Sequence, residues 1–415
     1  MFDFLAKVFQ ELAKIPSTDG IVNIIAAVIL SLLFYGFRWL LKNAGPYVLR
    51  LYQANWKLAR AESAVSSTGQ GIWLAKIEKE PPKDYIKYFS DRNTNRIPII
   101  VIANLKGGVG KTTTAANLAA HYAIKKNESV LLIDFDYQGS LSSMALSNEN
   151  LEIELNNQAA GGNCRASSML DNKDVDWLLN AALPIENVPN SRIIPSFYSL
   201  ASMENRIMVE WLIAKRSHDI RYQLASLLHD PRVAGRFKRV IIDAPPRLTT
   251  ACIEALCAAT HVIIPTILDK LSAEAVGTFA QQINTHRELW PHLTVIGAFG
   301  TMTEMVQIDT SGDAIEGNLR QFENDAISSV NDALRAAFAG APLALANARA
   351  LPFECFTPNK VELATNAGKS IAYAVPGNAL VQHQIRASFD RLGDEIDGRI
   401  GWSQFPPPTL PAAAK

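Results

Sequence analysis

Ile97 to Ala123 reads IPIIVIANLKGGVGKTTTAANLAAHYA, and three different kinds of residue follow one another within it. The first seven are apolar and rich in Ile and Val, the pattern of a short strand buried on both faces. The last part is rich in Ala and Leu, which favour helix. Between them lies a glycine loop, and strand, glycine loop, helix is the context a phosphate cradle requires. Glycine allows the unusual dihedrals that turn backbone N–H groups inward, and the helix N-terminus adds partial positive charge at the same spot. Gly107, Gly108, Val109, Gly110, Lys111, Thr112 and Thr113 are therefore the candidate nucleotide-binding residues. Lys111 is expected to bridge the β- and γ-phosphates of ATP, Thr112 to ligate Mg²⁺ through its hydroxyl, and Thr113 to reach the α-phosphate.

Working outward, VLLIDFDYQGS (Val130–Ser140) and VIIDAPP (Val240–Pro246) are further buried strands, each ending in acids. Asp243 is a hard carboxylate suited to Mg²⁺ through water. HVIIPTILDKLSAEAVG from His261 and TVIGAFGTM (Thr294–Met302) supply two more strands. Strands alternating with helices predict an α/β P-loop NTPase, its mostly parallel twisted sheet flanked by helices.

The loop carries Leu105 where the standard G-x-x-x-x-G-K-[ST] pattern has its first glycine, then an extra early lysine, Lys106. In this it resembles the ParA/MinD partition and positioning ATPases with a deviant Walker A motif. The resemblance covers Ile97 to Ile396, strongly at the three phosphate motifs and weakly elsewhere. It implies that Lys106 reaches the phosphates of a partner subunit in a homodimer that forms on ATP binding. It also implies that Asp136 positions the attacking water, that Asp134 helps hold the magnesium shell, and that Pro358, in TPNKVEL, lies against the adenine. Lys106, Lys111 and Asp136 are the catalytic candidates; Thr112, Asp134 and Asp243 are the metal candidates. Tyr137 stands where the family commonly has proline, so a looser turn is expected there.

The rest of the 415-residue chain departs further. Ile21 to Phe37 carries no charge and continues past Arg38 through Trp39 to Leu41, close to the ~20 residues a membrane-spanning helix needs. Tyr35 and Trp39 suit a headgroup region, and Lys42, Arg50, Lys57 and Arg60 after the span place the bulk of the chain in the cytoplasm. The expectation is a single-pass protein of the cell inner membrane. Residues 2 to 15 have apolar residues at helical spacing, fit for an interface or for a partner subunit. The domains expected are 1–62, amphipathic, transmembrane and juxtamembrane helices; 63–96, a linker; 97–400, the ATPase domain; and 401–415, a proline-rich tail that does not fold. An insertion near 145–190, with the polar stretch NNQAAGGNCRASS, is expected to be an added loop or small subdomain, either for partner recognition or simply tolerated.

Equal numbers of basic and acidic residues, 40 each, give no global attraction to nucleic acid or anionic lipid. Lys215, Arg216, Arg221, Arg232, Arg236, Lys238 and Arg239 form the dense basic run, read as a solvated face ahead of DNA binding. Cys164, Cys252, Cys257 and Cys355 are too few and scattered for a disulfide framework. The function expected is a membrane-anchored ATPase switch that recruits or releases an unidentified protein partner or activator. Two other readings are a membrane-acting sensor or effector of anti-phage defence and, less well matched, a polysaccharide-export tyrosine kinase, since no tyrosine follows Tyr373.

Overall fold

A computed structural model describes residues 97–402 except 172–173, 214–215, 217–218, 304–320, 359–362, 364–368 and 376–378, and before them Gly36, Arg38, Lys42 and Trp73. Residues 1–63 form one unit and residues 64–415 another. Almost all of the expected membrane span, the amphipathic stretch before it and the proline-rich tail lie outside the described residues. Among the described residues no helix is long and apolar enough to cross a membrane.

The larger unit is built on an eight-stranded sheet. In chain order the strands are β1 (Ile99–Ile102), β2 (Val130–Asp134), β3 (Leu183–Pro184), β4 (Arg192–Ile194), β5 (Arg239–Asp243), β6 (His261–Ile267), β7 (Thr294–Thr301) and β8 (Arg349–Ala350). Their order across the sheet is β3-β4-β2-β5-β1-β6-β7-β8. Only β3 against β4 is antiparallel. Every residue of β1, β2 and β5 is buried, as expected of Ile- and Val-rich strands covered by helices on both faces. The register sets Asp134 directly beside Asp243 at the C-terminal ends of β2 and β5, where open α/β sheets bind ligands.

Helix α1 (Lys111–Ile124) follows the glycine loop directly and is buried along most of its length. Its alanines let it lie close between the sheet and the long C-terminal helix. That last helix, Ala379–Trp402, carries Asp390, which accepts from His121 Nδ1 at 2.6 Å, Lys125 at 2.7 Å and the Tyr373 hydroxyl at 2.7 Å. Burial alone would raise the pKa of Asp390, but these three donors outweigh it and hold the carboxyl at about 2. Arg239 lies 3.6 Å over the Tyr122 ring and pairs with Glu128 and with Asp397 of the same C-terminal helix.

The segment expected as an added loop or small subdomain is largely helical. After α2 (Ser140–Ala145) come α3 (Asn148–Ala159), α4 (Arg165–Asp171) and α5 (Val175–Ala181). Ser147 caps α3 and Asp174 caps α5, and the polar stretch Asn156–Ser168 covers the end of α3, one tight turn at Gly161 and the start of α4. Arg165 holds the three together, bonding Glu154 of α3 at 2.7 Å and the last carbonyl of α5, Ala181, at 2.7 Å.

Trp73 falls within the expected linker yet is buried in the larger unit. It stacks on Trp211 of α6 (Ser199–Leu212) with ring centroids 6.3 Å apart. Arg221 donates to the Trp73 carbonyl, sits 5.1 Å over the Trp211 ring and forks onto Asp219. The linker thus contributes a core residue, because a chelated guanidinium and a flat indole face give Trp73 both polar and apolar contacts.

Candidate functional site

The glycine loop joins the C-terminal end of β1 to α1. Gly108 and Gly110 have φ of 71° and 78°, left-handed values that glycine adopts without strain. Asn104, at the end of β1, fixes the loop's entry: its amide donates to the Pro265 carbonyl at 2.8 Å and its side-chain oxygen accepts from Lys106 N at 3.0 Å. Thr301, at the end of β7, fixes the other side, donating to the Val109 carbonyl at 3.0 Å. Both residues escaped the sequence reading, although each closes an expected strand.

Lys111 opens α1 with its side chain folded back along the loop, the amine donating to the Lys106 carbonyl at 3.1 Å. Burial lowers its pKa, and the charges of Asp243 and Asp136 oppose that shift. Lys106 points elsewhere in the single chain: its amine lies 2.6 Å from the Ser272 hydroxyl and 3.4 Å from Asp269. Asp269 is the N-cap of α10 (Lys270–Thr285), the intervening helices being α7 (Gln223–Leu228), α8 (Pro231–Arg236) and α9 (Thr250–Ala258).

The two strand-terminal acids have different surroundings. Asp134 is fully buried, and its two oxygens accept from Asp136 N at 3.0 Å and from Ser142 N and Oγ at 2.9 and 2.6 Å. It therefore anchors the turn Phe135–Gly139 onto the start of α2. Gly139 is needed there: its φ is 67°, and an added Cβ would come within 2.8 Å of Phe197 Cδ1 and the Ser196 carbonyl. Asp136 is partly exposed on this turn, its side chain accepting from Gln138 N at 3.0 Å, and Tyr137 projects to solvent. The Asp136 carbonyl accepts from Gly139 N at 3.0 Å, so the turn closes without the family's proline.

Asp243 is equally buried, but neither of its oxygens accepts a well-formed hydrogen bond. The Thr112 hydroxyl faces it and, with Lys111, draws its pKa down, yet burial dominates and leaves it raised. Burial and the neighbouring Asp243 likewise raise Asp134. An orphaned carboxylate and a hydroxyl at the mouth of a glycine loop are hard oxygen donors suited to Mg²⁺. Among the described residues no cluster of three or more His, Cys, Asp or Glu side chains could enclose a metal. A cation held by Asp243 and Thr112 would complete its shell with phosphate oxygens and water.

Pro358 is bridged to Thr303, two residues beyond the end of β7. The basic run is different in kind. Arg216 pairs with Asp171 and Glu210, Arg221 with Asp219, Arg232 with Asp230 and Asp176, and Arg239 with Glu128 and Asp397. Arg236 donates to the Leu179 carbonyl, and Lys215 lies outside the described residues. Arg216, Arg221 and Arg239 are thus spent on internal structure, while Arg232, Arg236 and Lys238 remain exposed.

Residues 97–295 match a family model described as an AAA domain. The sporulation initiation inhibitor protein Soj of Bacillus subtilis is 34% identical over 195 residues, covering 47% of this chain and 67% of that protein. The chromosome partitioning protein ParA of Caulobacter vibrioides is 32% identical over 212 residues, covering 51% of this chain and 71% of that protein. In fold, the chain is similar to the ATP complex of an McdA variant from Cyanothece, with a TM-score of 0.51 and 15% identity over 74% of this chain and 96% of that one. With the deviant glycine loop and its acids in place, these likenesses show that the chain belongs to the ParA/Soj family of P-loop ATPases.

Proposed function

We propose that this chain is a membrane-anchored ATPase switch that binds ATP with Mg²⁺, dimerises on ATP, and in that state recruits or releases a protein partner. The observation that carries the reading is Asp243: a buried carboxylate without a full hydrogen bond, facing Thr112 and Lys111 at the mouth of the loop. A buried carboxylate with no well-formed hydrogen bond, offset only by the Thr112 hydroxyl and the charge of Lys111, is costly, so its retention argues for a bound cation. Asp243 and Thr112 would hold Mg²⁺, which when bound would neutralise charge at the transferring phosphoryl group.

The chain's own groups do the rest. Backbone N–H groups of Gly107–Thr113 cradle the phosphates, and Lys111 swings its amine from the Lys106 carbonyl to the β- and γ-oxygens. Asp136, on a turn fixed by Asp134, orients the attacking water. Lys106 leaves Ser272 and Asp269 to meet phosphate on a second subunit. The apolar stretch Ile21–Leu41 supports an anchor in the cell inner membrane with the ATPase domain in the cytoplasm. DNA is not favoured as a partner, since the basic run is largely ion-paired.

The test is ATP turnover by the full chain with and without Mg²⁺, lipid vesicles and DNA, beside Lys111→Ala. Removing that amine is expected to abolish nucleotide binding. Undiminished ATP affinity in the variant would end the P-loop assignment, and release of the full chain from membranes by alkaline carbonate would end the anchor.

A further inference from the structure

Glu204 sits in the middle of α6 with 7% of its surface exposed. Its side chain reaches the first turn of α9, the helix that follows the Asp243 loop. Glu204 Oε1 accepts from Ala251 N at 2.7 Å, and the Thr249 hydroxyl faces its carboxylate. The Glu204 backbone carbonyl accepts from the Thr250 hydroxyl at 3.3 Å. Thr249 is itself the N-cap of α9, accepting from Cys252 N. Three consecutive residues at the exit of the Asp243 loop are thus fastened to one residue of α6.

The entry to α6 is fastened to the other half of the site. Ser196 N donates to Ser142 Oγ at 2.8 Å, and that hydroxyl donates to Asp134 at 2.6 Å. Phe197 and the Ser196 carbonyl form the wall against which Gly139 packs. One short rigid path, Gly139 to Ser196 to α6 to Glu204 to Ala251, therefore spans from the turn carrying Asp136 to the loop following Asp243. Hydrolysis needs the water held by one of these segments and the phosphoryl charge neutralised at the other to stay in register within a fraction of an ångström.

Among the described residues no basic side chain bonds the Glu204 carboxylate. Burial raises its pKa and Asp136 raises it further; only the bonds from Thr249 and Ala251 oppose them. A buried acid repelled by a site acid, and held among the described residues by a helix N-terminus, is a poor choice for stability alone.

We propose that Glu204 is a positioning residue for ATP hydrolysis, which sets the Asp243 loop against the turn of Asp136. The proposal rests on the roles given to those two acids above, and the experiment separates the two levels. ATP turnover by the full chain is measured for wild type, Asp136→Ala, Glu204→Ala, Glu204→Gln and Glu204→Asp, with kcat and KM for ATP at saturating Mg²⁺. Leu392→Ala, at a buried residue of the C-terminal helix that makes none of the bonds to Glu204 above, serves as a control for lost stability.

Glu204→Ala is expected to lower kcat about tenfold or more with KM for ATP changed less than about twofold, because the glycine loop is untouched. Glu204→Gln keeps an acceptor for Ala251 N and is expected to recover most of kcat. Glu204→Asp, which withdraws the acceptor by one methylene, is expected to fold and to lose kcat, and it decides the matter if the alanine variant does not fold. The proposal is overturned if Glu204→Ala or Glu204→Asp turns over like wild type, if Leu392→Ala loses kcat equally at matched melting temperature, or if Glu204→Gln is as slow as Glu204→Ala while folded. Wild-type turnover by Asp136→Ala would instead overturn the site reading on which the proposal stands.

Discussion

Replacing Asp243 by Asn should make the nucleotide-free protein more stable while removing its activity. Asp243 is buried to about the same extent as its neighbour Asp134 in the sheet register, and the two acids repel each other. Neither Asp243 oxygen has a well-formed hydrogen bond. An unsatisfied buried polar group costs about 1–3 kcal/mol, more when charged. Asparagine removes the charge and the repulsion with Asp134, while Lys111 keeps Asp136 and the Lys106 carbonyl. For a domain of this size each kcal/mol moves Tm by about 2–4 °C, so a rise of several degrees is expected at pH 8 without Mg²⁺.

The pH dependence carries the sign. The pKa of Asp243 is raised on folding. Its stabilising effect, relative to an ordinary carboxylate, is therefore full below the unfolded pKa and lost as pH rises through the folded one. The advantage of Asn over Asp should accordingly grow from pH 5 to pH 8. Adding Mg²⁺ and ATP should raise the Tm of wild type more than that of the variant. Differential scanning fluorimetry at the two pH values, with EDTA or with Mg²⁺ and ATP, measures all of this. A variant that melts lower than wild type at pH 8 in EDTA would refute the reasoning that Asp243 is an uncompensated charge.

Asp136→Ala should bind ATP as wild type does and hydrolyse it about a hundredfold more slowly, read by single-turnover kinetics beside equilibrium binding. Trp73→Ala, which empties the space between Trp211 and the Arg221 clamp, should cost about 3 kcal/mol in urea unfolding, and Trp73→Phe less. Asp390 has a depressed pKa of about 2, so its contribution is present above the unfolded value of 3.8 and is lost as pH falls through the folded one. Acid unfolding should therefore sharpen between about pH 4 and pH 2 in wild type and be flatter in Asp390→Asn.

The phosphate loop, its flanking strand and helix, and the two acid-tipped strands were legible because each is local. A run of Ile and Val, a glycine loop and an alanine-rich helix are contiguous in the chain, and their periodicities differ. The distinct tasks of Asp134 and Asp243 were not legible, since both end apolar strands. Only the fold shows that Ser142 and the Asp136 amide take both oxygens of Asp134 and leave those of Asp243 without full bonds. The polar stretch Asn156–Ser168 left a loop and a small subdomain both open because it has no apolar periodicity; Arg165, bonding across three helices, orders it through tertiary contacts. Trp73 and Glu204 meet partners 138 and 47 residues away, Trp211 and Ala251, and no local pattern announces such pairs.

The central claim is a shared site, in which Lys106 of one subunit completes the phosphate cradle of another. In the single chain Lys106 is tied to Ser272 and Asp269, so Lys106→Ala should leave the fold and nucleotide binding intact while losing ATP-dependent dimerisation and turnover. Mixing this variant with Asp136→Ala, both nearly inactive alone, tests the claim directly. A mixed dimer keeps one Lys106 and one intact site of two, so the mixture should regain about half of wild-type turnover per mixed dimer formed. Turnover that stays at background in the mixture, with mixed dimers present, would mean that Lys106 acts within its own subunit.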